Sequence, residues 1–270
     1  MRLLPGLLAL FACTVLAADP LRVVSLAPSM TEIMLELRAD DLLVGVLDGG
    51  ERPPALRDLP SVGRQGQLNM ERLLSLRPEL LLLWPGSVPP AQRDQLKRLG
   101  IATFSAEPHD IDQLIAQIEA IAERIGRAEQ GHQYARALRE RLQQLREQYR
   151  RDEPLQVFYQ VWDQPLYTLG GRQVVSDALA VCGARNVFAD LNQPAPQVNV
   201  ESVLLRNPQV ILAGDPAQLA SWKAWPQLRA VADGRLLVVP DKGLERPSGQ
   251  MIEATARLCA LLAAKAPASR

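Results

Sequence analysis

The 270-residue chain carries 30 Lys and Arg against 30 Asp and Glu, a formal charge of zero at pH 7, which gives no support for nucleic-acid binding through a basic face. With 47% apolar and 22% charged residues it is globular, not disordered, and long enough for one large domain or two modest ones. Its only histidines are His109 and His132, too few for a three-histidine zinc site.

Residues 1–17 read as a signal peptide. Arg2 supplies the early positive charge, residues 3–16 the apolar run, and Val15-Leu16-Ala17 suits cleavage before Ala18. The run is too short to span a bilayer as a helix. An alternative takes Leu10-Phe11-Ala12-Cys13 as a lipobox with Cys13 lipidated, although Phe11 fits such a box poorly. Export leaves Cys182 and Cys259 in an oxidising compartment, where an even count favours a disulfide over two buried free thiols.

Residues 18–110 are expected to form a first α/β lobe. RVVSL at 22–26 is a run of the buried parallel-strand type. Ser29 is expected to cap a helix, with Glu32 three residues on and Ile33, Met34 and Leu37 as its apolar stripe. LLVGV at 42–46 reads as the second strand of a βαβ start, and 48–54 and 62–67 read as loops. NMERLLSLRPELLLL at 69–83 is a short helix followed by a buried strand. Asn69 is its N-cap, Glu71 sits where the helix dipole favours a carboxylate, and Pro78 forbids continuation. Trp84-Pro85-Gly86, a helix over 90–99 and a strand over 101–104 complete the lobe. Open α/β sheets bind ligands at the carboxyl ends of their strands, which puts 27–30, 47–53 and 84–88 on the ligand side.

Residues 111–152 form a helical linker. Ile111, Leu114, Ile115, Ile118, Ile121, Ala122 and Ile125 mark one helix, which Gly126 interrupts. Tyr134, Leu138, Leu142, Leu145 and Tyr149 mark a second, longer one over 127–150, roughly 36 Å at 1.5 Å per residue. The pattern lasts barely three heptads, which favours a rigid strut over a coiled-coil dimer arm.

Residues 153–270 are the expected second lobe. A strand at 155–161, a turn at 162–165, a helix over 176–182 and a loop at 192–196 lead to NVESVLLRNPQVILA at 199–213. This repeats the first unit at a constant offset of 130 residues: Asn69/Asn199, Glu71/Glu201, Leu74/Leu204, Pro78/Pro208 and Leu82/Leu212 are identical. Two such units so far apart imply two lobes of similar build with a cleft between them. A strand at 236–239, a loop at 240–247 and an amphipathic helix over 250–264 close the chain.

No catalytic constellation stands out. Ser25, Ser29 and Ser248 lack a G-x-S-x-G setting, Asp40-Asp41 reads as a helix-end surface pair, and no glycine-rich phosphate loop is present. A binding cleft needs apolar and aromatic walls with a few polar groups. Trp84, Trp162 and Tyr167 fall beside loops, with Arg64, Lys242 and Arg246 as polar partners. Trp222 and Trp225 read as packing residues.

The chain resembles the class III periplasmic substrate-binding proteins, receptors of ABC importers for vitamin B12, haem and iron–siderophores, and among these most the B12 receptors. The likeness covers essentially the whole mature chain, on RVVSLAPSMTE, QGQLNMERLLSLRPELLLLW, VCGARNVF, APQVNVESVL and LERPS. It implies two Rossmann-like α/β lobes joined by a single long backbone helix, with the ligand cleft between the lobes. It further implies a monomeric periplasmic receptor without cofactor or metal, which captures cobalamin or a related corrinoid and delivers it to a B12-type permease. Haem or an iron–siderophore is the alternative ligand, and an exported corrinoid-processing enzyme the alternative from another class.

Residue by residue, the resemblance makes Glu71 and Glu201 the two glutamates that dock onto permease arginines, and pairs Cys182 with Cys259. It sets Trp84 and the loop of Lys242, Gly243, Leu244, Glu245 and Arg246 along the corrin pocket. Gly49 stands where B12 receptors carry a tyrosine, and Arg64 and Ala195 stand where they carry tryptophans. Trp162 and Tyr167 are expected to compensate from the second lobe. Haem receptors carry a ligating tyrosine where this chain has Arg52, which weakens the haem reading.

Overall fold

A computed structural model of the chain describes residues 19–49 and 52–264, so the signal-peptide and Cys13 expectations lie outside the described residues. The first sheet is built from β1 (Val23–Ser25), β2 (Leu43–Asp48), β3 (Ser61–Arg64), β4 (Gln67–Leu68), β5 (Leu80–Leu83) and β6 (Ala102–Ser105). Its order is β4-β3-β2-β1-β5-β6, parallel except for the β3–β4 pair. Helices α1 (Pro28–Glu36), α2 (Met70–Ser75) and α3 (Pro90–Arg98) connect these strands.

Two local expectations are corrected. Ala27, not Ser29, is the N-cap of α1; Pro28 occupies the first turn, where its fixed φ suits a helix start and its missing N–H costs nothing. The stretch expected as a loop at 62–67 is an antiparallel hairpin, β3–β4. Gly63 and Gly66 take φ of 117° and 77° there, and a Cβ on Gly63 would overlap the carbonyl of Gln67.

Between the sheets run α4 (Ile111–Arg124) and α5 (Ala128–Gln148), an antiparallel pair reversed at Gly126, whose φ is 73°. Asp110 caps α4, its carboxylate accepting from the Gln113 N–H at 2.6 Å. The 21 residues of α5 span about 31 Å at 1.5 Å per residue. Its buried face of Ala135, Leu138, Leu142 and Leu145 joins the apolar stripe of α4 in one core. The strut is therefore one arm of a packed helical hairpin.

The second sheet comprises β7 (Leu155–Asp163), β8 (Leu166–Thr168), β9 (Ala184–Asn186), β10 (Val210–Ala213) and β11 (Leu236–Val238). Strand β7 pairs in parallel with β10 and β9 and antiparallel with β8, and β11 lies outside β10. The expected turn at 162–165 is thus shorter, because β7 runs on through Asp163 into a tight hairpin. Helices α6 (Val174–Val181), α7 (Val200–Arg206), α8 (Pro216–Ala220), α9 (Arg229–Ala232) and α10 (Met251–Ala263) complete the lobe. Cys182, just beyond α6, is disulfide-bonded to Cys259 in α10. Trp222 is 2% exposed and donates its indole N–H to Gln160 at 2.6 Å, so it packs inside this lobe.

The repeat is structural as well as textual. Asn69 accepts from the Arg72 N–H at 2.8 Å and Asn199 from the Ser202 N–H at 2.9 Å, the same capping bond in each lobe. Arg77 and Asn207 both adopt left-handed backbone, φ 46° and 43°, before Pro78 and Pro208. The next side chain then clamps the neighbouring strand: Glu79 accepts from the Arg22 N–H at 2.9 Å, and Gln209 from the Gln156 N–H at 2.8 Å. One buried core runs from β1 and α1 through α4–α5 into β7, α6 and α10; separate clusters cover the outer faces of the two sheets. No helix among the described residues is long and apolar enough to cross a membrane.

Candidate ligand-binding cleft

A cavity of ≈ 390 Å³ lies where the two lobes meet. The first lobe lines it with the carboxyl ends of β1, β2 and β5: Leu26 to Met30, Leu47 to Gly49, and Trp84 with Ser87. The second lobe supplies Gln173 and Val174 at the start of α6, and Glu245, Arg246 and Pro247. The sheet-edge rule thus locates the wall in the first lobe.

Each wall is fixed locally. Thr31 donates its hydroxyl to Ser25 at 2.8 Å, and Ser25 donates to the Ala27 carbonyl at 3.0 Å, holding the bend from β1 into α1. Gly49 packs so closely on Pro28 that a Cβ there would overlap the pyrrolidine ring. The Trp84 carbonyl accepts from both the N–H and hydroxyl of Ser87, at 2.9 and 2.7 Å. The indole lies over Gly86, where a Cβ would come within 2.6 Å of the ring. Trp84 is 37% exposed, an aromatic face held at the cleft wall.

The charges facing the cavity are mostly acidic. Asp48 accepts from Ser61 at 2.6 Å and from two Arg52 nitrogens at 2.8 and 2.5 Å, which hold its carboxyl below the usual range, the Ser61 bond foremost. Glu245 accepts from the Tyr159 hydroxyl at 3.3 Å, and Glu107 adds a third carboxylate. Among the described residues Arg246 is the only Lys or Arg of the lining, and Glu32 across the lobe boundary already neutralises it at 2.9 Å. His109 also lines the cavity. Among the described residues no group of three His, Cys, Asp or Glu is placed to hold a metal ion.

Of the residues singled out from sequence, Gly49, Trp84, Glu245 and Arg246 meet at this cavity. Arg64 ends β3 opposite Asp48, and it is Gln65 beside it that reaches the lining. Trp162 and Tyr167 face each other across the β7–β8 hairpin outside the lining, Trp162 being 56% exposed. Leu244 is fully buried in the core, Gly243 is buried where an added Cβ would come within 3.3 Å of Ala254 of α10, and Lys242 is exposed to solvent. Glu71 and Glu201 sit exposed in the first turns of α2 and α7.

His109 and Gln117 escape sequence reasoning, because both fall at the edge of or inside the linker. Gln117 did leave a signal: it is a polar residue on the apolar stripe of α4, three residues from Leu114 and beside Ile118.

Two α/β lobes on a packed helical pair, with a cleft at their junction walled by Trp84 and apolar side chains, define a two-lobed ligand receptor. Residues 23–242 match the periplasmic binding protein family, and the chain belongs to it. It is 33% identical over 265 residues to a vitamin B12-binding protein of Vibrio cholerae, covering 94% of this chain and 96% of that one. The crystal structure of the periplasmic vitamin B12 binding protein BtuF of Vibrio cholerae superposes with a TM-score of 0.80 at 33% identity, covering 89% and 96%. A periplasmic heme binding protein from Pseudomonas aeruginosa superposes at 0.75 with 27% identity, covering 93% and 96%.

Proposed function

We propose that this chain is a periplasmic receptor that captures cobalamin or a related corrinoid between its lobes and delivers it to an ABC importer. The observation that carries this reading is the chemistry of the cleft. A flat, amide-rimmed macrocycle needs apolar and aromatic walls and a rim rich in hydrogen-bond acceptors. Trp84, Pro28 and Leu26 offer the first; Asp48, Glu107 and Glu245 offer the second. A haem would bring two propionates to Glu107, Glu245 and an Asp48 already paired with Arg52, while the guanidinium of the lining is itself paired with Glu32, an unfavourable meeting of like charges at the two remaining carboxylates. The B12-binding relatives point the same way. A cavity of ≈ 390 Å³ would take the inner part of such a ligand, the remainder lying between the facing lobes.

Glu71 and Glu201 are then the contacts to the two halves of a transmembrane permease, one at an equivalent helix start in each lobe, and the receptor works as a monomer. Titration of the purified mature protein with cyanocobalamin tests the reading. One-to-one binding with quenching of Trp84 fluorescence is expected, and a haem preference would overturn it.

A further inference from the structure

Gln117 occupies an unusual position in this cleft. It lies on α4 at 6% exposure and lines the cavity from beneath, among Leu114, Ile118 and Met30. Its Nε2 reaches only the thioether of Met30, at 3.4 Å, and its Oε1 has no hydrogen-bond partner and no solvent. A thioether is a weak acceptor, so neither end of this buried amide is properly satisfied. Leaving a buried polar group unpaired is costly, and a Leu or Met of similar volume would fill the same space without that cost. The buried hydroxyls of Ser25, Thr31 and Ser87 beside the cleft are, by contrast, closed by hydrogen bonds within their own lobe.

We propose that Gln117 is the hydrogen-bonding anchor at the floor of the cleft for a peripheral primary amide of the bound corrinoid, an inference that rests on the corrinoid reading above. A primary amide matches it because each partner carries both an N–H donor and a carbonyl acceptor, so the two pair reciprocally. Met30 yields readily, its unbranched side chain being able to turn aside. Ligands lacking such an amide leave Gln117 without a strong partner, and the residue therefore selects for peripheral amides over hydrocarbon edges.

Two variants test this, Gln117→Leu and Gln117→Glu, each titrated with cyanocobalamin and with its peripheral monocarboxylic acid derivatives. Gln117→Leu is expected to bind cyanocobalamin about fivefold to tenfold more weakly, the worth of one such hydrogen bond, while its unliganded form melts no lower than the wild type. Gln117→Glu should reject one monocarboxylate isomer by at least about tenfold beyond the wild-type preference, because two carboxylates then meet, and treat the other isomers alike. Unchanged cyanocobalamin affinity in Gln117→Leu, or an equal penalty for every isomer in Gln117→Glu, would overturn the contact. A wild-type protein that binds no cyanocobalamin overturns the corrinoid reading and the anchor with it.

Discussion

The Glu36 carboxylate, at the end of α1 in the first lobe, accepts from the Gly249 N–H at 2.8 Å, at the head of α10 in the second. The Gln250 N–H donates to the same carboxylate at 2.9 Å, so one side chain holds the start of a helix across the lobe boundary. Asp177 of α6 reciprocates, accepting from the Ile111 N–H at 3.0 Å where α4 begins.

Burial lifts the pKa of Glu36 above its ordinary 4.5, against the opposing pull of the two N–H groups. The folded protein then holds that proton at pH values where the unfolded chain has released it. Stability contributed by this group therefore falls as pH rises from about 4.5 through the raised value. Urea denaturation across that interval should show a shallower decline for Glu36→Gln than for the wild type. Parallel curves would mean that the proton is not held.

Gly249 touches a second group, the Tyr134 hydroxyl of α5, and a Cβ at 249 would overlap that oxygen and come within 2.6 Å of the ring carbon bearing it. Gly249→Ala is expected to destabilise the fold by roughly 1–3 kcal/mol through overpacking. Combining it with Tyr134→Phe, which removes the hydroxyl, should cost less than the two changes summed. Strict additivity would contradict the contact.

The Cys182–Cys259 bond closes a loop with a sequence separation of 77. Removing both sulfurs as Cys182→Ala with Cys259→Ala should lower unfolding free energy by about 2–4 kcal/mol. The loss should match that produced by reductant on the wild type, measured by denaturant titration, and leave ligand affinity nearly unchanged, since neither cysteine lines the cavity.

Glu71→Ala with Glu201→Ala should abolish corrinoid uptake in cells that depend on it while leaving cyanocobalamin affinity as in the wild type. Both side chains are exposed and neither lines the cleft. Uptake at the wild-type rate would sink the docking role.

What could be read from sequence was what recurs or alternates locally. The units at 69–83 and 199–213 were legible because a cap, a helix dipole, a proline and a buried strand all act within a few residues. The ligand-side loops at 27–30 and 84–88 followed from strand polarity. The β3–β4 hairpin was not legible, since Gly63 and Gly66 signal a turn without saying that four flanking residues pair. Glu36 meets Gly249 across 213 residues, and nothing near either one announces the other. In the second lobe, Leu244 follows two loop-like residues yet is buried under the packing of α10, which no local pattern displays.

The core that passes from β1 through α4–α5 to α10 has a thermodynamic consequence. Two sheets joined by a linker would ordinarily melt as two units, each with its own midpoint. Here neither half owns a complete interior: α4 is buried by both, and each side holds the first amides of a helix that the other side needs. Loss of one half strips the other of packing, and heating should give a single calorimetric transition whose enthalpy belongs to both sheets and the helices between them.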